Sequence, residues 1–263
     1  MNTINIENYS DFEKSLKNVE LNSYSSIAQF QDYFDSIAKY IFGNVAIVIG
    51  DSNSKQIKYY LEEIEFYYNN FSKKDLDSAK NKSEKEKNFI NHFSCTYKRN
   101  RDAGQLFWHY SGVDICFQSY PEENCYGGIL IRSMSKCDGN ENNPELIAGP
   151  LRCANEIANQ SINLKSIPQI KEIKGAKRNI SENDIASTIR QGIENNKRYG
   201  DKIKKNGDEY VVPDDFPLFC YYVKRGKKGW SWNTKVDEKP VRYSANPEVR
   251  LKEFYKTIKN EKK

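Results

Sequence analysis

Histidine is scarce in this sequence, since its 263 residues contain only two, His92 and His109. Six cysteines are present, and none of them forms a CxxC pair. Structural zinc sites and Cys–His nucleophile pairs need such residues in recognisable spacings, so the sequence argues against both. We expect no metal and no other cofactor. An even cysteine number would permit disulfides, but the sequence starts without a secretory signal, which favours reduced cysteines in the core.

Long apolar runs are also missing. The longest spans about five residues, Val45–Ile49, whereas a membrane-spanning helix needs roughly 20. We therefore expect a cytoplasmic protein outside the membrane. The 41 basic and 36 acidic side chains leave a net charge of +5, which permits nucleic-acid binding without requiring it. Aromatic residues make up 13% of the chain, too many for a disordered protein.

The hydrophobic pattern predicts a mixed chain of helices and strands. Strands are predicted at 45–50, 56–68, 104–117, 127–133 and 211–223, the first two as a hairpin. Helices are predicted at 25–42, 150–160, 181–196 and 247–258. Polar stretches at 69–91 and 134–144 are predicted as loops. We interpret residues 1–24 as an N-terminal arm, and residues 25–263 as a single α+β domain with a mostly antiparallel sheet.

The second predicted strand combines carboxylates with aromatic residues. In an extended chain Glu63, Glu65 and Tyr67 share one face, whereas Ile64, Phe66 and Tyr68 share the other. The apolar face is expected to join the core. Taken alone, the acidic face is typical of a strand that faces solvent.

A strand–turn–strand pattern follows at 104–117. His109 precedes a turn at Ser111-Gly112, and Asp114 lies in an otherwise apolar strand. Taken alone, this pattern is typical of a hairpin with a hydrogen-bonded histidine and a buried carboxylate. Further along, Arg132 closes an apolar strand, and Gly149-Pro150 begins a helix whose amides could hold a phosphate.

The order and spacing of these motifs are more informative than any one of them. Four motifs follow one another over about residues 30–160. They are Glu-x-Glu-x-Tyr, an aromatic hairpin with its turn glycine, Leu-Ile-Arg-Ser and Gly-Pro. This series resembles the alkyladenine (3-methyladenine) DNA glycosylase family. The resemblance implies a curved antiparallel sheet flanked by helices, no cofactor, and a monomer that acts on duplex DNA. It also implies a monofunctional enzyme that flips a modified base out of DNA and hydrolyses its glycosidic bond.

The resemblance assigns roles to individual residues. Glu65 matches the glutamate that activates water, and Arg132 matches the arginine of the neighbouring strand. The residues expected to bind the flipped base are Tyr67, His109, Asp114, Gln118 and Arg132. The residues expected to contact DNA are Tyr110, Ser111, Arg152, Lys98 and Arg99. For His109 two roles are open, a neutral ring that stacks on the base and a protonated ring that donates to it.

Three departures from the family pattern concern the base-binding site. No histidine occurs in residues 69–85, Ser111 stands where the family inserts a tyrosine, and Gln118 replaces an asparagine. One residue is deleted before the turn, so Tyr110 becomes the candidate wedge, and Asp114 adds a carboxylate. These departures favour a changed substrate, an alkylated purine or another modified base such as the bulky ones of some viruses, with a role in repair or in antiviral defence. The alternatives are a binding module that has lost catalysis and a protein-interaction domain.

Overall fold

The computed structural model describes most of the first 190 residues and parts of the remainder. The described residues are 5–17, 19, 27–51, 55–69, 96–123, 125–138, 144–173, 178, 180–188, 202–205, 208–211, 219–225 and 228–229. Most of the predicted loop at 69–91, the helix at 247–258 and Cys95 lie outside these residues.

Three helices and twelve strands form the described architecture, a mixed α+β fold with a curled antiparallel half-barrel sheet. The helices are α1 (Tyr9–Lys17), α2 (Ile27–Asn44) and α3 (Pro150–Asn163). The first strands are β1 (Val45–Ile49), β2 (Ile57–Asn69), β3 (Leu106–His109), β4 (Gly112–Cys116), β5 (Tyr126–Cys137) and β6 (Glu145–Ala148). The later strands are β7 (Gln169–Glu172), β8 (Ile185–Thr188), β9 (Lys202–Lys205), β10 (Asp208–Val211), β11 (Cys220–Arg225) and β12 (Lys228–Gly229).

Two long strands, β2 and β5, form the centre of the main sheet. The sheet runs β12-β11-β2-β5-β4-β3, with β1, β6, β7 and β8 attached beside this path. The strands β9 and β10 form a separate pair. The two long strands pair with each other along one edge. On the opposite edges, β1 and β11 share β2, while β4 and β6 share β5. The predicted hairpin of the first two strands is confirmed.

The two faces of β2 have different surroundings, as alternation predicts. Its apolar residues Ile64, Phe66 and Tyr68 are buried in the core, where Phe66 stacks on Phe34 of α2 with ring centroids 4.4 Å apart. The helix α3 lies beside the acidic face. Burial and then the charge of Glu63 raise the pKa of the Cys153 thiol in this helix.

Two other elements differ from the sequence prediction. Residues 181–196 were expected to form a helix, but Ser181 caps only a short 3-10 turn through Asp184, and the following residues form β8. The helix prediction is wrong for residues 182–188, because Ile185–Thr188 pair along the edge of β11, and pairing in a sheet outweighs a local capping signal. Residues 189–196 lie outside the described part of the chain. The strand β5 also continues to Cys137, where a loop was predicted, since β2 and β6 pair with that extension.

The N-terminal segment packs onto the domain. Phe12 and Leu16 of α1 are buried in the main core, so this stretch contributes to the fold as well as leading into it. The five described cysteines, Cys116, Cys125, Cys137, Cys153 and Cys220, are buried thiols, as the prediction of reduced core cysteines requires. Within the described residues no helix combines the length and apolarity needed to cross a bilayer.

Candidate functional site

A single row of side chains crosses four strands on the acidic face. Asp114 of β4 pairs with Leu130 of β5, Leu130 pairs with Glu65 of β2, and Glu65 pairs with Cys220 of β11. Directly opposed residues of antiparallel strands project to the same face. The row therefore places two acidic residues, far apart in sequence, on either side of Leu130.

One end of this face carries a buried cluster of ionisable groups. The Arg132 guanidinium donates from Nε to Glu63 Oε1 at 3.0 Å and from Nη1 to Glu65 Oε2 at 2.5 Å. Both carboxylates are fully buried, so the expectation of a solvent-facing acidic strand is wrong. Burial alone would lower the pKa of Arg132, but the charges of Glu65 and Glu63 outweigh it and raise that pKa, so the guanidinium stays protonated.

An irregularity in the β2–β5 ladder makes this cluster possible. The register shifts twice, between Leu61 and Glu63 and again between Glu63 and Ile64, which leaves Glu62 and Arg132 outside the direct pairing. Bulges of this kind change the direction of side chains. Glu62 consequently accepts from a different arginine, Arg178, whose Nη2 lies 2.7 Å from its Oε1. Three neighbouring carboxylates are thus buried in one strand with two arginines.

A cavity of about 390 Å³ opens next to this cluster. Its lining residues come from β2, β5, the β3–β4 hairpin and the segment before β3, and they are Tyr67, Thr96, Tyr97, His109, Ser111, Asp114 and Leu130. The structure thus brings together four residues that the sequence analysis singled out. Thr96 and Tyr97 were missed, because the stretch around them follows a polar segment and shows no periodicity that distinguishes it from a loop.

Glu65 lies beside the cavity and is not part of its lining. Its direct cross-strand neighbour Leu130 and its same-face neighbour Tyr67 both line the cavity, and its own carboxylate is covered. Glu65 and Arg132 therefore form a charged layer next to the residues that a bound molecule would touch.

Tyr97 and His109 form one aromatic wall. Their ring centroids are 4.6 Å apart, and the Tyr97 hydroxyl lies 3.1 Å from Ser111 Oγ. The Ser111 amide donates to His109 Nδ1 at 3.2 Å, and a backbone N–H can only donate, so the ring proton belongs on Nε2. His109 Nε2 then donates to Asp114 Oδ1 at 2.9 Å. Both ring nitrogens are engaged by the protein.

Two predicted roles are corrected by these contacts. Arg99, expected on a DNA phosphate, is 4% exposed and donates from Nη1 to Asp114 Oδ2 at 2.6 Å, so its charge faces inward. Gln118, expected to bind the base, lies outside the cavity lining. Its amide accepts from the Ala103 N–H and donates to Asp102 Oδ1, both at 3.2 Å, which holds the turn before β3.

Asp114 is held as a carboxylate despite its burial. Burial raises its pKa, but the His109 hydrogen bond and the Arg99 charge lower it further than burial raises it, and the net shift is downward. The ion pair and the imidazole contact therefore belong to the ionised form of this side chain.

The other residues predicted to contact DNA are mostly exposed. Tyr110, between the lining residues His109 and Ser111 at the tip of the β3–β4 turn, is 79% exposed. Ser111 is exposed as well, and so is Lys98, which follows the lining residue Tyr97. Arg152 is half-buried in the first turn of α3. The helix start is close to the hairpin, because a Cβ placed on Gly112 would lie 3.1 Å from Pro150 Cβ.

Gly128 offers a test of how tightly the site is packed. A Cβ at this position would lie 2.9 Å from both Arg99 Nη1 and Ile115 O. We expect Gly128→Ala to lower the free energy of unfolding by about 1–3 kcal/mol, because the backbone oxygen cannot move aside.

Gly43→Ala is the matched control. Among the described residues, no atom outside the surrounding helix lies within 4 Å of its added Cβ. Alanine in place of glycine in a helix should stabilise the fold by about 1 kcal/mol. Urea unfolding of both variants measures the difference, and equal stability of Gly128→Ala and the wild type would contradict the packing.

The described side chains contain no group of three or more His, Cys, Asp or Glu residues placed to hold a metal ion. No protein-family model matches the chain, and no curated protein matches it significantly. The case for a function therefore depends on the site itself and on the order of the sequence motifs.

Proposed function

We propose that the protein is a monofunctional DNA glycosylase that flips a modified base into this cavity and hydrolyses its N-glycosidic bond. The observation that carries the proposal is an aromatic-walled cavity of about 390 Å³ beside a buried, arginine-held glutamate. A volume of this size is in the range of small-molecule sites and is sufficient for one base. The partner is duplex DNA, and the protein acts as a monomer without a cofactor.

The cavity walls suit a flat heteroaromatic ring. Extruding a base from the duplex costs a few kcal/mol, least for a damaged or mispaired base. Stacking on aromatic side chains returns roughly 1–3 kcal/mol per base. Tyr67 supplies one such surface and the Tyr97–His109 wall supplies another. Because both His109 nitrogens are engaged by Ser111 and Asp114, we assign the ring to stacking and not to proton donation.

Glu65 is the proposed general base. Glycoside hydrolysis passes through an oxocarbenium-like sugar, which a nearby carboxylate stabilises. The water oxygen forms a bond to C1′, its proton moves to Glu65, and the C1′–N bond breaks with its electron pair leaving on the base. Arg132 orients the carboxylate through its Nη1 contact. The reaction requires that water reach Glu65 from the side of Tyr67 and Leu130 when DNA is bound.

Mostly exposed residues provide the DNA contacts in this proposal. Tyr110 is the wedge that fills the gap left by the flipped base, with Ser111 beside it at the turn. Lys98 and Arg152 are the phosphate contacts, and such contacts make binding weaker as salt rises.

A second candidate is a nucleic-acid-binding module that has the same cavity and no catalysis. The burial of Glu65 favours it, since a fully covered carboxylate that does not line the cavity has no route to water without rearrangement. Both candidates predict salt-sensitive DNA binding, and only the glycosylase predicts abasic sites.

A substrate panel tests the proposal. Purified protein is incubated with duplexes and genomic DNAs that carry alkylated, deaminated or bulky phage-type bases, and alkaline cleavage reports abasic sites. We expect cleavage of one substrate class. DNA binding without cleavage of any substrate would support the binding module, and absence of both would contradict either function.

A further inference from the structure

Arg99 connects three residues that line the cavity. Its Nη1 donates to Asp114 Oδ2 and its Nη2 donates to Thr96 Oγ1, each at 2.6 Å. Its Nε donates to the Tyr97 carbonyl at 2.9 Å. Its guanidinium carbon lies 4.4 Å from the centroid of the Phe107 ring, which stacks behind His109. All three nitrogens of this nearly buried side chain are thus committed to the wall.

Asp114 connects the guanidinium to the imidazole. One carboxylate oxygen accepts from Arg99 and the other accepts from His109 Nε2. A carboxylate accepts on both sides, so it satisfies two donors at once, which no neutral side chain of this shape can do. Gly128 leaves the room for this arrangement, because its missing Cβ would meet Arg99 Nη1 and Asp114 Cβ.

We infer that Arg99 and Asp114 are positioning residues that hold the Tyr97–His109 wall and set the Nε2–H tautomer of His109. Arg99 fixes the segment that carries Thr96 and Tyr97, and Asp114 fixes the ring proton and orientation of His109. The wall then recognises a base by stacking and shape, without a free imidazole nitrogen. The part of this inference that concerns base binding rests on the proposed function, whereas the tautomer does not.

The substitution Asp114→Asn removes the charge and keeps the shape of the side chain. Its carbonyl oxygen can accept from Arg99 only if its NH₂ group faces His109 Nε2, and that nitrogen must then lose its proton. The same substitution beside a catalytic histidine of serine proteases preserves geometry and imposes the wrong tautomer. In Asp114→Asn the ring proton would move to Nδ1, and the bond from the Ser111 amide would be lost.

Nitrogen NMR of histidine-labelled protein tests the tautomer directly. The chain has two histidines, and His92→Gln assigns the signals of His109. In the wild type we expect protonated Nε2 and unprotonated Nδ1, and in Asp114→Asn the reverse. A wild-type ring that exchanges between tautomers, or an Asn variant that keeps Nε2–H, would overturn the inference.

Binding measurements test the wall. The probes are a duplex with a single hypoxanthine and the same duplex with a tetrahydrofuran abasic site. The dissociation constant of the abasic duplex divided by that of the hypoxanthine duplex measures how much the base contributes to binding. Arg99→Lys retains the charge and loses the contacts with Thr96, Tyr97 and Asp114. We therefore expect that ratio to fall about tenfold, which corresponds to the loss of one stacking contact. Arg101→Lys, at an exposed neighbouring arginine, should leave the ratio unchanged. Equal ratios in both variants would overturn the role of Arg99.

The two arms distinguish failure of the inference from failure of the proposed function. If the wild type binds both duplexes equally, the base-binding proposal fails for this probe, and the NMR result alone then confirms or overturns the positioning role. If Asp114→Asn does not fold, the same NMR experiment is made on Arg99→Lys, where Asp114 still accepts from His109 Nε2. A ring that keeps its proton on Nε2 is expected in that variant, and loss of the Nε2 proton would overturn the assignment of the tautomer to Asp114.

Discussion

Replacing Glu65 with glutamine is expected to lower the rate of base excision by about two to four orders of magnitude. Glutamine keeps the size of the side chain and can still accept from Arg132 Nη1, but it cannot take a proton from water. Single-turnover cleavage of the best substrate in the panel measures the change. DNA affinity should be retained, because Glu65 is fully buried and lies outside the cavity lining.

Glu63→Gln is the matched control for this experiment. Glu63 is equally buried, lies two residues away on the same face, and is paired with the same guanidinium. Any general disturbance of the ion cluster should appear in both variants, whereas loss of the general base should appear only at Glu65. Equal losses of activity at the two positions would contradict a catalytic role for Glu65 and assign both residues to the stability of the sheet.

Replacing Arg132 with methionine is expected to destabilise the fold by about 3–5 kcal/mol. Methionine fills much of the same space but leaves the carboxylates of Glu63 and Glu65 buried without their shared guanidinium. The cost of an uncompensated buried charge exceeds the net value of the intact pair. Urea unfolding followed by circular dichroism measures the loss of unfolding free energy.

Two further variants identify the cause of that loss. Adding Glu63→Gln and Glu65→Gln to Arg132→Met removes the buried charges, so a large part of the stability should return. Arg178→Met should cost less, because the Arg178 side chain is 13% exposed and pairs with one carboxylate of β2, that of Glu62, whereas Arg132 pairs with two. A loss below about 1 kcal/mol in Arg132→Met would show that the cluster is not held by charge.

Local patterns were sufficient for much of the architecture. Alternation along Glu63–Tyr68 predicted which residues enter the core, and the structure confirms it, because a strand's geometry fixes a period of two whatever its partners are. Three other features could be predicted in the same way, because each depends on neighbours in sequence. They are the β1–β2 hairpin, the mixed α+β class and the helix after Gly149-Pro150.

The candidate site was only partly readable in the same way. Tyr67, His109, Ser111 and Asp114 were singled out by motif and do line one cavity. The sequence could not distinguish functional roles for these residues from purely structural ones, because the function of a carboxylate or an imidazole depends on its partners.

Tertiary structure decided those partners. Arg132 lies 67 residues from Glu65, and only the doubly shifted β2–β5 register directs its guanidinium onto two carboxylates. Arg99 was expected to face solvent and a DNA phosphate. Its side chain points inward because the buried carboxylate of Asp114, next to Gly128, accepts its hydrogen bond. Residues 185–188 became a strand because β11 presented an open edge. The periodicity of the sequence predicts the face of the sheet on which a side chain lies. The charged groups that it contacts on that face depend on how strands distant in sequence pair.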